Sequence, residues 1–309
     1  MNERLALLVL ANSAPESCAE LARDARSADF DVFVHVDAKA DLAQFQAAMG
    51  TEVDGVHWLT SASRHSIHWG GFSMIEATGA LVKSAMERHD YHSLSLVSDD
   101  TAFLVRPETA RSMLLAQPNR IDDHAIDPAS TRGRRYAELY ALDLAFSAVR
   151  QRDVEDRAID LKALDTMYAD VKKLAELGKV ALDLRGGAQW WSLQGSRALS
   201  YVERLELDNH LRLSFQYSAV PYDSFFQTMA AADGLVEGGS QNLTPSPMLF
   251  DFTRNPRPYV YREVGEVMDH LKKTWRERVF VRKVADPLLH QRRDLWTEVR
   301  RDRKWARLG

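Results

Sequence analysis

Two consecutive stretches decide the fold: His65-Ser66-Ile67-His68-Trp69-Gly70-Gly71-Phe72-Ser73, which leads into a helical pattern, and Leu94-Ser95-Leu96-Val97-Ser98-Asp99-Asp100. The second stretch is a short apolar run that ends in two carboxylates. In open α/β sheets, ligands bind at the carboxyl ends of such buried strands. Glycines let the backbone approach a ligand closely, and an aromatic ring such as Trp69 can flank a flat base. The two stretches therefore predict a nucleotide-binding edge of an α/β sheet.

The rest of the first half alternates between apolar runs and helical patterns. Strands are predicted at residues 5–10, 30–36, 57–60 and 93–97, and helices at residues 14–26, 72–88 and 107–115. Alternation of strands and helices, with strands that are apolar throughout, favours an α/β fold. The predicted sheet is mixed, mainly parallel and flanked by helices on both faces.

The character of the sequence changes between residues 119 and 184. Residues 134–149 and 154–177 are charged, rich in Ala and Leu and free of proline, and they predict two helices. We interpret residues 119–184 as a helical insertion on the acceptor side of one compact domain that spans residues 1–290. Residues 291–309 form a predicted basic C-terminal helix or tail.

Composition excludes several classes of protein. A formal net charge of −4 gives no general attraction to nucleic acid, so none is expected as a partner. Cys18 is the single cysteine, which excludes an internal disulfide and a cysteine-based zinc site, and a lone cysteine on a helix is typical of a core position. No His or Cys cluster completes a zinc site with His65 and His68. No stretch reaches about 18 consecutive apolar residues, so we expect a cytoplasmic protein.

Four acidic residues, at three places in the sequence, each have a functional and a structural interpretation. Asp37 follows the second strand, where it could accept from a ribose hydroxyl or cap a helix. Asp99 and Asp100 offer hard oxygen ligands for Mg²⁺ or Mn²⁺, but adjacent carboxylates are not the usual Asp-X-Asp and are often only solvated, so we do not expect a metal site. Asp223 precedes a hydrophobic helix start, where it could cap the helix or act as a general base.

The C-terminal segment supplies positive charge. From residue 271 to 309 there are 13 Lys or Arg and 5 Asp or Glu, and cations of this kind can neutralise a leaving diphosphate without a metal. Arg257 and Lys283 are the candidates because each lies beside apolar sequence. A solvated helix face is expected for Arg292, Arg300, Arg301 and Arg303. With Leu295, Trp296, Val299 and Trp305 interleaved, that helix could also contact an anionic membrane.

Taken together, these motifs resemble the core-2/I-branching β-1,6-N-acetylglucosaminyltransferase family (glycosyltransferase family 14), which includes the peptide-O-xylosyltransferases. The matching segments, in the order of the family, are residues 34–37 (Val-His-Val-Asp), 67–73, 94–100, 186–190 (Gly-Gly-Ala-Gln-Trp), 221–228 (Pro-Tyr-Asp-Ser-Phe-Phe-Gln-Thr), Arg257 and 280–283 (Phe-Val-Arg-Lys). The resemblance runs from near residue 5 to near residue 290 and is weakest at residues 119–180.

The resemblance implies a GT-A-like fold and an inverting transfer from a UDP-sugar to a glycan or glycoconjugate, without a divalent metal or other cofactor. The donor sugar would be N-acetylglucosamine or xylose-like. Asp223 would be the catalytic base. The donor would be bound by Asp37, Trp69, Gly70, Asp100, Gln189, Trp190, Arg257 and Lys283, with the last two standing in for a metal on the diphosphate.

Two departures from the family pattern bear on these expectations. Ser98-Asp99-Asp100 replaces the small-residue turn found in many relatives, which leaves metal assistance open. Where relatives have Pro-Asp-Glu, this chain has Pro221-Tyr222-Asp223, so a shorter aspartate replaces the usual glutamate. A non-catalytic nucleotide-sugar or glycan-binding protein on the same fold is therefore an alternative, and a membrane-peripheral assembly factor is another. The animal members are also cysteine-rich and membrane-anchored, so the single cysteine indicates a bacterial-type, cytoplasmic relative that could contact a membrane peripherally.

Overall fold

The computed structural model describes residues 3–50, 53–143, 161–235, 245–274 and 277–302. Its strands are β1 (Leu5–Ala11), β2 (Phe30–Val36), β3 (Val56–Trp58), β4 (Ser93–Ser98), β5 (Thr101–Phe103), β6 (His124–Ala125), β7 (Arg185–Gly186), β8 (Ser192–Leu193), β9 (Met248–Leu249) and β10 (Phe280–Arg282). The central sheet has the order β3-β2-β1-β4-β8. The first four strands are parallel and β8 is antiparallel to β4. Strand order therefore reverses beside β1, which creates a crevice at the carboxyl ends of β1 and β4.

Two small sheets lie beside the central one. The first has the order β5-β10-β9, with β10 antiparallel to β5 and parallel to β9. The second is the antiparallel pair of β6 and β7. Since β5 begins only two residues after β4 ends, the β5-β10-β9 sheet lies next to the crevice and brings the C-terminal third of the chain to it.

Helices cover the central sheet. They are α1 (Pro15–Ser27), α2 (Leu42–Met49), α3 (Ser73–Arg88), α4 (Pro107–Ala116), α5 (Thr131–Ala137), α6 (Leu161–Leu177), α7 (Gly195–Leu207), α8 (Asn209–Gln216), α9 (Phe225–Ala232), α10 (Val264–Thr274), α11 (Asp286–His290) and α12 (Arg292–Arg301). Helix α1 packs against α2 and α4, whereas α3 packs against α7, and both groups contact β1. All seven residues of β1 are consequently buried.

The predicted fold class is confirmed. The mixed, mainly parallel sheet flanked by helices is consistent with a GT-A-like fold. The four predicted strands and three predicted helices of the first half are present, with ends that differ by one or two residues. Cys18 is buried in the core, as predicted, and burial raises the pKa of its thiol.

The predicted helix at residues 134–149 is wrong in its bounds. Ser130 begins α5 by accepting a hydrogen bond from the Gly133 N–H (3.0 Å), and the helix ends at Ala137. The next residues are held by other segments, because the Tyr140 N–H donates to the Tyr217 carbonyl (3.1 Å). Asp143 accepts from the Phe72 N–H (2.7 Å) at the start of α3. Residues 144–149 lie outside the described residues.

The second predicted helix, at residues 154–177, is observed as α6 over Leu161–Leu177, and residues 154–160 lie outside the described residues. Within the described part of the chain, no helix is both long enough and apolar enough to span a membrane.

Helix α12 corrects two expectations about the C-terminal segment. Arg292 does not lie on a solvated face, because its guanidinium binds Asp24 of α1 (Nε to Oδ2, 2.7 Å) and also Glu20. Leu295 and Val299, which suggested membrane contact, are buried in the core. Arg300 and Arg301 are exposed as predicted, and residues 303–309 lie outside the described residues.

Candidate active site

A cavity of about 1300 Å³ opens at the carboxyl ends of β1, β2 and β4, where the strand order reverses. Eight of the nine predicted site residues line it: Asp37, Trp69, Asp100, Gln189, Trp190, Asp223, Arg257 and Lys283. The ninth, Gly70, does not line the cavity, but its N–H donates to the Tyr222 hydroxyl (3.2 Å) beside it. The fold therefore brings together residues that are up to 246 positions apart in the sequence (283 − 37).

Gly70 has a backbone conformation that only glycine adopts readily. Its φ is +81°, and a Cβ there would lie 3.0 Å from a Leu142 methyl group. The Gly70 carbonyl accepts a hydrogen bond from the Val220 N–H (2.7 Å). Gly70 thus joins the start of α3 to the segment that carries Asp223.

Asp223 lies in a 3-10 turn (Pro221–Asp223) just before α9. Its side chain does not cap α9, because the residue at the cap position is Ser224 and no side-chain cap bond forms there. The Asp223 carbonyl accepts from the Gly187 N–H (3.0 Å), which fixes the turn. Burial raises the pKa of Asp223 to about 6, against the opposing effect of Arg135 and Arg132. The carboxylate is therefore deprotonated at neutral pH and is still a stronger base than an ordinary aspartate.

Two adjacent cations surround Asp100. Nζ of Lys283 lies 3.2 Å from Oδ2 of Asp100, and Nε of Arg282 lies 3.2 Å from its Oδ1. Burial alone would raise the pKa of Asp100, but Arg282, a hydrogen bond from Ser98 and Lys283 outweigh it and lower the pKa. The Arg282 guanidinium also lies 4.5 Å from the centre of the Trp190 ring, a cation–π contact. Asp100 thus holds both cations at the edge of the cavity.

Arg257 lies in an exposed loop that lines the cavity. Asp251 organises this loop: its Oδ1 accepts from the Thr253 N–H (2.7 Å), and its Oδ2 accepts from Arg254 (2.6 Å). Among the described residues, no ion-pair partner of the Arg257 guanidinium is found. Its charge is therefore available to a ligand in the cavity.

Asp99 differs from its neighbour Asp100. Its Oδ2 accepts three backbone hydrogen bonds, from Asn12 (2.8 Å), Ser13 (2.9 Å) and Ala14 (2.9 Å), which are the residues between β1 and α1. Burial raises the pKa of Asp99, and these three bonds oppose the shift. Asp99 lines the cavity but is nearly fully buried, and its Oδ2 holds the loop between β1 and α1.

Among the residues that the structure describes, no group of three or more His, Cys, Asp or Glu side chains is arranged to hold a metal ion. Asp99 and Asp100 point to different partners, as given above. His65 and His68 donate through their backbones to His35 Nε2 (2.8 Å) and Ser73 Oγ (2.9 Å), and their rings form no such group.

The remaining predicted donor-binding residues differ in how far other residues already occupy their side chains. Trp69 is 82% exposed at the cavity edge, so its ring face is available for stacking. Asp37 is buried and its oxygens are engaged by Lys39, through the backbone N–H (2.9 Å) and through Nζ (3.1 Å). Nε2 of Gln189 is buried without a hydrogen-bond partner among the described residues. A ligand in the cavity that accepted a hydrogen bond from Gln189 would satisfy it.

Sequence reasoning did not single out several other cavity residues, among them Phe252, Arg282, Arg132 and Arg135. Arg282 stood next to Lys283, but alternation along a strand would place the two on opposite faces. Both line the cavity because β10 ends at Arg282. Arg132 and Arg135 are three positions apart on a helix, a spacing that indicates one face, and the error in the bounds of α5 concealed it.

Comparison with known proteins gives one extensive match. A family model described as Branch: Core-2/I-Branching enzyme matches residues 24–245, more than two thirds of the chain. No curated protein matches significantly. Among solved structures, the chain is similar to the crystal structure of HddC from Yersinia pseudotuberculosis, with 13% identity and a TM-score of 0.26. That match covers 40% of this chain and spans 59% of the other.

Proposed function

The chain belongs to the core-2/I-branching enzyme family, whose members are glycosyltransferases, and we propose that this member is an inverting, UDP-sugar-dependent one. The acceptor is a hydroxyl group of a glycan or glycoconjugate, and the donor sugar is N-acetylglucosamine or xylose-like. The observation that carries this proposal is the shared cavity, which has a basic carboxylate, Asp223, together with the cations Arg257 and Lys283.

The proposed reaction is a single displacement. Asp223 takes the proton of the acceptor hydroxyl, and the oxygen attacks the anomeric carbon of the donor. The bond from that carbon to the diphosphate oxygen breaks as the new bond forms, which inverts the anomeric centre. Negative charge develops on the departing UDP, and Arg257 and Lys283 stabilise it through charge-assisted hydrogen bonds.

Arg282 and Asp100 support the cationic side of this reaction. Asp100 fixes the position of Lys283 by an ion pair of 3.2 Å and contacts Arg282 in the same way. Two or three fixed positive charges supply the role that a divalent metal has in other transferases, so we propose that no metal is required. Asp100 also lies where it can accept from a hydroxyl of the donor sugar.

The proposed uridine and sugar contacts are the other predicted cavity residues. The exposed ring of Trp69 borders the uridine, Asp37 lies at the end of β2, and Gly70 shapes the turn beside them. Gln189 and Trp190 lie nearer the sugar. The buried, unpartnered Nε2 of Gln189 supports this assignment, because a bound hydroxyl would complete its hydrogen bonding.

The first test removes the base. Asp223→Asn keeps the size of the side chain but removes its basicity, so turnover should fall by about 10²- to 10⁴-fold. UDP affinity, measured by calorimetry, should stay within about twofold. Asp183→Asn, at an exposed position outside the cavity, is the matched control. Unchanged turnover in Asp223→Asn would contradict the role of Asp223.

The second test removes a cation. Lys283→Ala should weaken UDP binding by about 10- to 100-fold, because a hydrogen bond to a charged group contributes about 1.5–3 kcal/mol. Lys273→Ala, on the exposed side of α10, should bind UDP as the wild type does. Transfer should persist in EDTA. A strict requirement for Mn²⁺ would contradict the metal-independent mechanism.

A second candidate is a non-catalytic nucleotide-sugar or glycan-binding protein, suggested by the shorter carboxylate at position 223. The raised pKa of Asp223 favours the enzyme, because a protein that only binds has no need of a partly buried base. A panel of UDP-sugars, scored for both thermal stabilisation and sugar transfer, separates the two. Stabilisation without transfer or hydrolysis would favour the binding protein.

We further propose that the protein is a bacterial-type member that works in the cytoplasm, with peripheral membrane contact restricted to exposed basic residues such as Arg300 and Arg301. Since the apolar residues Leu295 and Val299 are buried, such contact would be electrostatic. Co-sedimentation with anionic liposomes at low salt, lost at high salt, is the expected result.

A further inference from the structure

Two arginines of α5 line the cavity beside Asp223. Arg132 and Arg135 are three positions apart on the helix, so they share a face. Both also line a recess of about 30 Å³ that adjoins Asp223 and Ser224. A recess of this volume accepts a group of a few atoms and not a sugar ring.

The backbone fixes these arginines relative to the proposed base. The Arg135 carbonyl accepts from the Ala219 N–H (2.8 Å), and the next residue, Val220, donates to Gly70 (2.7 Å). The turn that contains Asp223 follows directly. Arg135 is thus tied to the segment that positions Asp223 and is not carried by an independent surface loop.

The acidic residues nearby already have partners. Asp123 forms a two-point ion pair with Arg185 (2.5 and 2.6 Å). Asp122 accepts from the Ser246 N–H (3.0 Å) and lies 4.0 Å from Arg278. The arginines in these two contacts, Arg185 and Arg278, are distinct from the cations around Asp100.

The α5 arginines, in contrast, lack a carboxylate partner among the described residues. Arg132 contacts the His124 ring, and burial and Arg132 lower the pKa of His124, which disfavours the protonated ring. No ion pair or side-chain hydrogen bond of Arg135 is found within the described ranges. Two guanidinium groups therefore face the side of the cavity where the acceptor hydroxyl must approach Asp223.

We propose that Arg132 and Arg135 bind an anionic group, a carboxylate or a phosphate, on the sugar acceptor. Guanidinium groups bind such oxyanions through two parallel hydrogen bonds, which orients the ligand as well as attracting it. The two guanidinium groups offset the repulsion that Asp223, Asp122 and Asp123 would exert on an acidic acceptor. This inference rests on the proposed transferase function and adds the class of acceptor.

The test measures oligosaccharide binding with UDP present in excess, so that the donor side is filled. Three probes distinguish the chemistry: an oligogalacturonate (carboxylate), a 6-phosphorylated maltotriose (phosphate) and unmodified maltotriose (neutral). Wild-type protein should bind at least one anionic probe about 10- to 100-fold more tightly than the neutral one, the size expected for a hydrogen bond to a charged group.

Arg135→Gln should abolish most of this preference, and Arg132→Gln should reduce it. Arg134→Gln is the matched control, because Arg134 is on the same helix but does not line the cavity. The inference is overturned if the wild type binds neither anionic probe more tightly than maltotriose. It is also overturned if the preference for an anionic probe survives in the double variant Arg132→Gln/Arg135→Gln.

Failure of this inference is distinguishable from failure of the proposed function. UDP affinity and UDP-sugar hydrolysis of the wild type test the transferase proposal separately from oligosaccharide binding, and both should be unchanged in the control Arg134→Gln. If the wild type turns over a UDP-sugar but binds all three probes equally, only the anionic acceptor is wrong. If the wild type neither binds nor turns over a UDP-sugar, the transferase proposal itself fails.

Discussion

Backbone contacts, rather than side-chain bonds, hold the proposed base in place. Val220, three residues before Asp223, has φ +54°, a left-handed conformation that is strained for a β-branched residue. Its N–H donates to Gly70, and its carbonyl accepts from the Asp223 N–H (3.1 Å). Strain of this kind persists where the surrounding structure enforces it, often at functional sites. Among the described residues, the Asp223 carboxylate has no hydrogen-bond or ion-pair partner that would compete with substrate.

The pH dependence of turnover follows from the raised pKa of Asp223. The base works only when deprotonated, so the rate should rise with pH through about 6 and reach a plateau above neutrality. Arg135 stabilises the charged form, so its removal in Arg135→Gln should move this limb to higher pH. Measurement of kcat from pH 4.5 to 8.5 in both proteins checks the prediction. A limb near pH 4, or a shift to lower pH in the variant, would contradict it.

Some residues of the site could be predicted from the sequence and others could not. Those next to apolar strands or glycine turns, such as Asp37, Asp100 and Lys283, could be placed because local pattern and family resemblance agreed. Arg282 and Phe252 could not, because their contribution depends on where β10 ends and how a loop folds over the cavity. The roles of all these residues remain predictions until the variants are measured.

At the scale of elements, one carboxylate holds the connection between β1 and α1. Asp99, at the end of β4, accepts the three consecutive N–H groups that precede α1. These groups have no partners within the helix, and an anion is favourable there. Because Asn12 lines the cavity, this arrangement also shapes the donor side of the site.

Replacement of Asp99 tests its structural role. Asp99→Ala leaves three N–H groups without their acceptor, so the free energy of unfolding should fall by about 1–3 kcal/mol. Chemical denaturation measures the change, with the exposed Asp183→Ala as control. Sugar transfer should persist in EDTA in both variants. An unaltered stability in Asp99→Ala would show that the loop does not depend on this carboxylate.

Elements were predictable where a single pattern extended over several residues. Strand β1 is apolar at every position, and β2 and β4 are apolar at half or more of theirs, so the existence and type of these strands follow from the sequence. Strands β6, β7, β8 and β9 have two residues each, too few for a periodicity, and form only because a distant segment pairs with them. The bounds of α5 were wrong for a similar reason, since Tyr217 and the start of α3 hold the residues that follow it.

At the scale of the whole molecule, the C-terminal helix fastens to the first helix of the sheet domain. The Arg292 side chain, 17% exposed, lies between Glu20 and Asp24, and the Trp296 ring donates from Nε1 to the Phe103 carbonyl (2.9 Å). Residues 291–302 are thus part of the packed domain and not an independent tail. This contact links the two ends of the chain across the sheet.

Loss of the Arg292 ion pairs should destabilise the entire domain. Arg292→Ala leaves two partly buried carboxylates without their cation, so the free energy of unfolding should fall by about 2 kcal/mol. Arg300 is exposed on the same helix, so Arg300→Ala is the matched control. Its free energy of unfolding should fall by less than about 0.5 kcal/mol. Thermal unfolding of both variants measures the difference. Equal midpoints would show that α12 contributes no stability through this contact.

The pairing of β10 with β5 has a consequence for how the protein folds. Phe280 pairs with Phe103, so the two strands are 177 residues apart in the chain. At the usual rate of synthesis, β5 waits about 10–40 s on the ribosome before its partner exists. Contacts between such distant segments also form slowly, because a long loop must close first. The part of the cavity where Lys283 meets Asp100 is therefore completed after the parallel sheet around it, and the nascent chain lacks the proposed diphosphate site until β10 has emerged.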